Sequence, residues 1–147
     1  MITLGKSLQS REPGDAVGWY LEGTGGERLA SGNNAPLTQA IEALQRAVTL
    51  DPTHSRYHLQ LGRAFQKERK FDNAIVELKE TIRMDPGDAG AHYALARAYK
   101  QVGDTKLAAQ EFRLVSGMKA KSAHDVYLSM LTATQHSRQE LAARRQR

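Results

Sequence analysis

There is no cysteine among the 147 residues of this chain, which excludes disulfides, thiolate metal sites and a cysteine nucleophile together. Aromatic residues are scarce at 6%, with one tryptophan, so a core must be built mainly from Leu, Ala, Ile and Val. No apolar run approaches the roughly 18 residues that a membrane helix requires. Met1-Ile2-Thr3-Leu4 opens no secretory leader, because Gly5, Lys6 and Gln9 interrupt any apolar segment. With neither leader nor cysteine, the expectation is a cytoplasmic protein. Proline occurs four times, and two of them, Pro52 and Pro86, stand 34 residues apart.

That spacing is a period. When Ser55–Met84 is set above Ala89–Met118, His58 falls on His92, Leu61 on Leu95, Gly62 on Ala96, Arg63 on Arg97, Ala64 on Ala98 and Phe65 on Tyr99. Further along, Ala74 falls on Ala108, Glu77 on Glu111, Leu78 on Phe112 and Met84 on Met118. Half a period upstream, Ala40-Ile41, Leu44 and Leu50-Asp51-Pro52 match Ala74-Ile75, Leu78 and Met84-Asp85-Pro86. Self-similarity at a fixed period of this size signals stacked units, each unable to bury its apolar face alone.

Within the period the apolar spacing is helical. Leu37, Ile41, Leu44, Ala47 and Val48 predict a helix over 37–50, with Pro36 at its start and Pro52 at its end. Helices follow at 55–68 and 72–84, the latter N-capped by Asp72. Two more are expected at 89–102 and 105–118, divided at Gly103-Asp104 and with Gly117 weakening the end. A separate sixth helix over 123–143, carrying Val126, Tyr127, Met130, Leu131 and Leu141, is expected to close the array as a cap. The division is therefore a glycine-rich segment 1–35, an array 36–122, and a capping helix with a basic tail over 123–147. In the first segment, Trp19 and Gly23 keep the spacing of His58 and Gly62, so a degenerate first repeat helix around 15–30 is expected, followed by a lengthened loop at Gly32-Asn33-Asn34.

The aligned residues resemble the tetratricopeptide repeat family over 37–118. Its bulky residue, Leu-Gly, aromatic, alanines and closing proline are met by His58, Leu61-Gly62, Phe65, Ala74, Leu78 and Pro86, with Thr81 in place of a small alanine. In the next unit they are met by His92, Leu95-Ala96, Tyr99, Ala108 and Phe112, while Ala120 replaces the closing proline. The resemblance implies an all-α fold of antiparallel helix pairs, stacked as a short right-handed superhelix with a concave groove lined by the first helix of each unit. It also implies a scaffold that holds a peptide or partner segment there. Short arrays of this kind often end longer bacterial chains.

Carried over position by position, the groove residues are Arg56, Leu59, Gln60, Arg63, Gln66 and Lys67 from one unit and Tyr93, Ala94, Arg97, Lys100 and Gln101 from the next. Arg63 and Arg97 occupy one place in successive units, so stacking sets them side by side, with Lys67 and Lys100 a turn further on. Arginine pairs bidentately with carboxylates, so an acidic segment is the expected partner, with Tyr93 and Leu59 supplying apolar contact. Co-chaperones of this family clamp heat-shock-protein tails with a Lys/Asn/Asn/Lys/Arg set. Here those places hold Leu59, Arg63, Gln or Ala, Gly90 and Ala94, so chaperone-tail binding is not expected.

The net charge of +5 rises along the chain: −2 over residues 1–54, +3 over 55–118 and +4 over 119–147. A basic tail suits nucleic acid, or equally a solvated helix end. A nucleic-acid-associated protein and a self-associating structural unit are therefore the alternatives to peptide binding. His54 and His58 are four apart, but no carboxylate completes a metal site and no His-Glu-x-x-His run occurs. Glu77 and Glu80 are expected on an outer helix face. Gly23-Thr24-Gly25-Gly26 lacks the Lys-Ser/Thr of a phosphate loop, and no serine has a Gly-x-Ser-x-Gly setting. Neither an enzyme nor a cofactor is expected.

Overall fold

The computed structural model describes residues 15–29 and 34–145, with the side chains of 26–36, 137–138 and 140–145 left out. Six helices follow one another: α1 (Ala16–Leu29), α2 (Asn34–Leu50), α3 (Ser55–Lys67), α4 (Phe71–Met84), α5 (Ala89–Val102) and α6 (Thr105–Arg145). They associate as the antiparallel pairs α1/α2, α3/α4 and α5/α6, and the pairs join through α2 with α3 and α4 with α5. The first helices also touch in sequence, α1 with α3 and α3 with α5, which is the geometry of a short superhelical stack.

The turns explain where the helices stop. Asp85 accepts from the Gly87 N–H at 3.2 Å, while Asp51 accepts from Thr53 through both its N–H and its hydroxyl. The Thr53 hydroxyl holds the Asp51 carboxyl below its ordinary range. Asp88 then N-caps α5 by accepting from the Ala91 N–H at 3.0 Å, and Asp104 does the same for α6 from Leu107 at 3.1 Å. Within each of the last two units the chain reverses by one device repeated at 34 residues. Gly103 (φ 88°) follows α5 and Arg69 (φ 65°) follows α3, both left-handed. The N–H after each reaches back across the turn, Asp104 to the Tyr99 carbonyl and Lys70 to that of Phe65, both at 2.9 Å.

Two boundaries differ from expectation. Asp72 is not the N-cap of α4: Lys70 holds that place without a side-chain hydrogen bond, and Asp72 lies in the first turn. Its negative charge still suits the positive end of the helix dipole there. The separate closing helix over 123–143 is not separate either, since α6 runs unbroken for 41 residues. Lys119-Ala120-Lys121-Ser122 stand where the earlier unit has Asp85-Pro86-Gly87-Asp88, so no residue stops the helix. Gly117, with nothing within 4 Å of the place its Cβ would take, does not break it. Residues 119–136 are exposed throughout rather than closing the stack. Leu141 lies outside the described side chains.

Close approach inside each pair rests on glycine and alanine. A Cβ on Gly62 would meet Leu78 Cγ at 2.8 Å, and Leu78 is fully buried. Gly23 on α1 stands in the same relation to Leu44 on α2, where a Cβ would also lie 2.9 Å from the Ala40 carbonyl oxygen. Ala96 is fully buried at the equivalent place on α5. Around these contacts Leu61, Ala64, Phe65, Ala74, Leu95, Ala98, Tyr99 and Ala108 form a continuous core. Thr81, at a position that asks for a small residue, is fully buried and donates its hydroxyl to the Glu77 carbonyl at 3.0 Å. That back-bond satisfies the one polar group it brings inside.

Gly62→Leu is expected to destabilise the chain by about 1–3 kcal/mol through overpacking against Leu78; a thermal melt at the wild-type midpoint would refute the contact. Arg69→Gly should act oppositely, adding about 0.5–1 kcal/mol by relieving a left-handed residue that carries a Cβ, as read from chemical denaturation.

Candidate functional site: the concave face of α3 and α5

Arg63, Gln66 and Lys67 recur at i, i+3 and i+4 along α3, and Gly90, Tyr93, Ala94 and Arg97 do so along α5. That spacing puts each set on one helix face. Because α3 and α5 touch, the two faces together line a concavity of about 440 Å³. A second hollow of about 400 Å³ continues it, lined by Gln66, Lys67, Arg69, Phe71, Arg97 and Gln101. Arg63, Lys67, Arg69 and Arg97 contribute four cations to the combined lining, and no carboxylate joins them. Neither Arg63 nor Arg97 belongs to an ion pair among the described residues. Gly90 makes room for this: a Cβ there would stand 3.1 Å from Arg63 Nη2.

Of the residues expected in the groove, Arg63, Gln66, Lys67, Tyr93, Ala94, Arg97 and Gln101 line these hollows. Arg56, Gln60 and Lys100 line neither. Lys100 departs because the counterpart of Lys67 one period on is Gln101, not Lys100. Leu59 is a correction: it is 8% exposed and belongs to the core, so it offers no apolar contact to a ligand. Ala94 is also core, and its carbonyl accepts from Gln66 Nε2 at 2.7 Å, so Gln66 ties α3 to α5. Tyr93 is 48% exposed and is braced edge-on by Phe112 with centroids 5.8 Å apart. It is thus an aromatic wall held in place from behind. Arg69, Phe71 and Gly90 were not anticipated. The signal for Arg69 was its alignment with Gly103, which marks a tight reversal at the end of the groove.

The histidines have a structural role. His58 Nε2 donates to the Pro52 carbonyl at 3.0 Å while its Nδ1 meets Glu77 Oε2 at 2.7 Å. His92 repeats this one period on, with the Pro86 carbonyl at 3.0 Å and Glu111 Oε2 at 2.6 Å. Each imidazole therefore ties both helices of its pair to the preceding turn. The expectation that Glu77 lies on an outer solvated face is thereby corrected, because His58 holds it. Glu80 does lie on the surface, and its hydrogen bond from Arg83 keeps its carboxyl below the ordinary range. No group of three or more potential metal ligands occurs among the described residues. No described helix is long and apolar enough to cross a membrane.

Antiparallel helix pairs stacked with their first helices in contact define a helical-repeat protein. The tetratricopeptide repeat family's pattern matches residues 65–130, starting later and running further than the 37–118 resemblance. Among solved structures it is similar to the crystal structure of MamA, with TM-score 0.75 and 24% identity over 84% of this chain and 69% of that one. It is also similar to MamA 41-end from Desulfovibrio magneticus RS-1, with TM-score 0.71 and 19% identity over 82% and 65%. The chain thus spans about two thirds of these MamA chains. A third similarity is to the second tetratricopeptide domain of Spaghetti (RPAP3) bound to an HSP90 peptide, SRMEEVD, with TM-score 0.65 and 19% identity over 77% and 98%. No curated protein matches the sequence.

Glu77→Ala should cost about 1–3 kcal/mol, because it leaves buried His58 Nδ1 without its partner. Differential scanning calorimetry checks this, and an unchanged midpoint would count against the bridge.

Proposed function

We propose that this protein is a protein–protein interaction module whose groove receives an acidic segment of its partner. The observation that carries the reading is the set Arg63, Lys67, Arg69 and Arg97 around a hollow lined by no carboxylate. Clustered cations attract anions, and arginine forks add geometric selectivity for carboxylates over a point charge. Tyr93, half exposed and braced, supplies a surface for an apolar side chain beside the acidic ones. The Spaghetti domain, which shares the fold, holds the peptide SRMEEVD, whose two glutamates and aspartate are acidic. That likeness supports the class of ligand and not its identity, since the five-residue clamp is absent from this chain.

Arg63→Glu/Arg97→Glu should retain the wild-type helical signal and melting point while losing at least tenfold in affinity for Glu/Asp-rich peptides, measured by fluorescence anisotropy. Equal affinity in both proteins would move the site elsewhere. Binding of nucleic acid in place of peptide, with steep loss as salt rises, would favour the nucleic-acid alternative.

A further inference from the structure

Residues 126–131 of α6 read Val-Tyr-Leu-Ser-Met-Leu, and all five large apolar side chains are exposed: Val126 52%, Tyr127 58%, Leu128 45%, Met130 64% and Leu131 42%. Ser122, Asp125, Ser129 and Thr132 share one face, and the five apolar side chains cover the rest of the circumference, a wider apolar surface than a helix standing in water carries. Three observations say what covers it. The family match extends to residue 130, so it takes in this segment as part of a further repeat rather than as a tail. Ser122 stands 34 residues after Asp88, the N-cap of α5, and Ser122-Ala123-His124-Asp125 before the apolar run has the form of a helix-start capping box. Yet the turn that would let the segment fold back is missing, since Lys119-Ala120-Lys121-Ser122 replace Asp85-Pro86-Gly87-Asp88 and α6 continues straight through. The segment is thus the first helix of another unit, held away from the open flank of its own α5/α6 pair.

We propose that a second copy of this chain supplies the missing contact: two molecules exchange the segments beyond Ser122, each lying on the α5/α6 pair of the other. In the fold-back that the repeat calls for, this segment would run antiparallel to residues 105–118 of its own helix. Two straight α6 helices side by side and antiparallel reproduce that pairing in trans, with a two-fold axis at Ala120-Lys121. A hollow of about 540 Å³ beside the crossing, lined by Gly87, Met118, Lys121 and Val126 among others, lies open in the single chain. The contact is isologous and closed, so it yields a dimer and not a fibre. The Arg63–Arg97 hollow lies between α3 and α5, whereas the exchanged segment adds beyond α5.

Sedimentation equilibrium of the full chain across a wide concentration series is expected to give twice the chain mass. Val126→Asp/Met130→Asp, at exposed sites that the single chain does not use, should give the single mass with an unchanged helical signal. Lys119→Asp/Ala120→Pro/Lys121→Gly restores the turn, and should also give the single mass by letting the segment fold onto its own chain. Because the chain has no cysteine, Ala120→Cys should form a disulfide-linked dimer readily on mild oxidation, and Lys106→Cys should not. A wild-type chain of single mass, a dimer that survives either set of substitutions, or equal cross-linking at 106 and 120 would each overturn the exchange. Peptide titration reads the groove separately, so failure of one proposal is distinguishable from failure of the other.

Discussion

The seating of Leu78 on Gly62 sets the separation of α3 and α4, and with it the geometry of the stack. With no Cβ on Gly62, the Leu78 side chain occupies space that any other residue would fill. The same relation recurs between Gly23 and Leu44 on the first pair, while Ala96 takes the matching place on α5. Helix pairs drawn this close present narrow units, and narrow units stack with their first helices in contact. The concave groove follows from that contact, because Arg63 on α3 and Arg97 on α5 line one hollow only if their helices are neighbours.

A second set of contacts orients what the close packing brings together. His58 and His92 each bridge a carboxylate on the second helix of their unit to a proline carbonyl in the preceding turn. These bridges repeat at the period, as do the left-handed reversals at Arg69 and Gly103. The histidine bridges are polar and buried or half-buried, so they select one arrangement where apolar contact alone would tolerate several. Gln66, donating across to the Ala94 carbonyl, does the same between units at the floor of the groove.

Most of the helix plan was legible because it rests on local rules. The break at Gly103-Asp104, the turns at Pro52 and Pro86 and the helices between them follow from turn chemistry and helical periodicity. The two misplacements have specific causes. Asp72 was taken as a cap on residue type alone, but the reversal through left-handed Arg69 delivers the chain into α4 one residue earlier. The break before 123 was read from Gly117, while Lys119, Ala120 and Lys121 replace the residues that end the earlier unit and let the helix continue. In the groove, the shared position of Arg63 and Arg97 was readable from alignment. The burial of Leu59 was not, because a face that looks inward to the groove and one that looks into the core differ by a small rotation of α3.

By itself the sequence determined the period, the pairing of helices and the residue types that each unit offers, since these are encoded by spacing along one chain. The tertiary structure alone decided which of the offered residues meet. Whether a side chain lines a hollow, like Lys67 and Gln101, or is consumed in holding the stack, like Glu77 and Leu59, depends on distances between helices far apart in sequence. Those distances come from the fit of one surface into another, which no local pattern records.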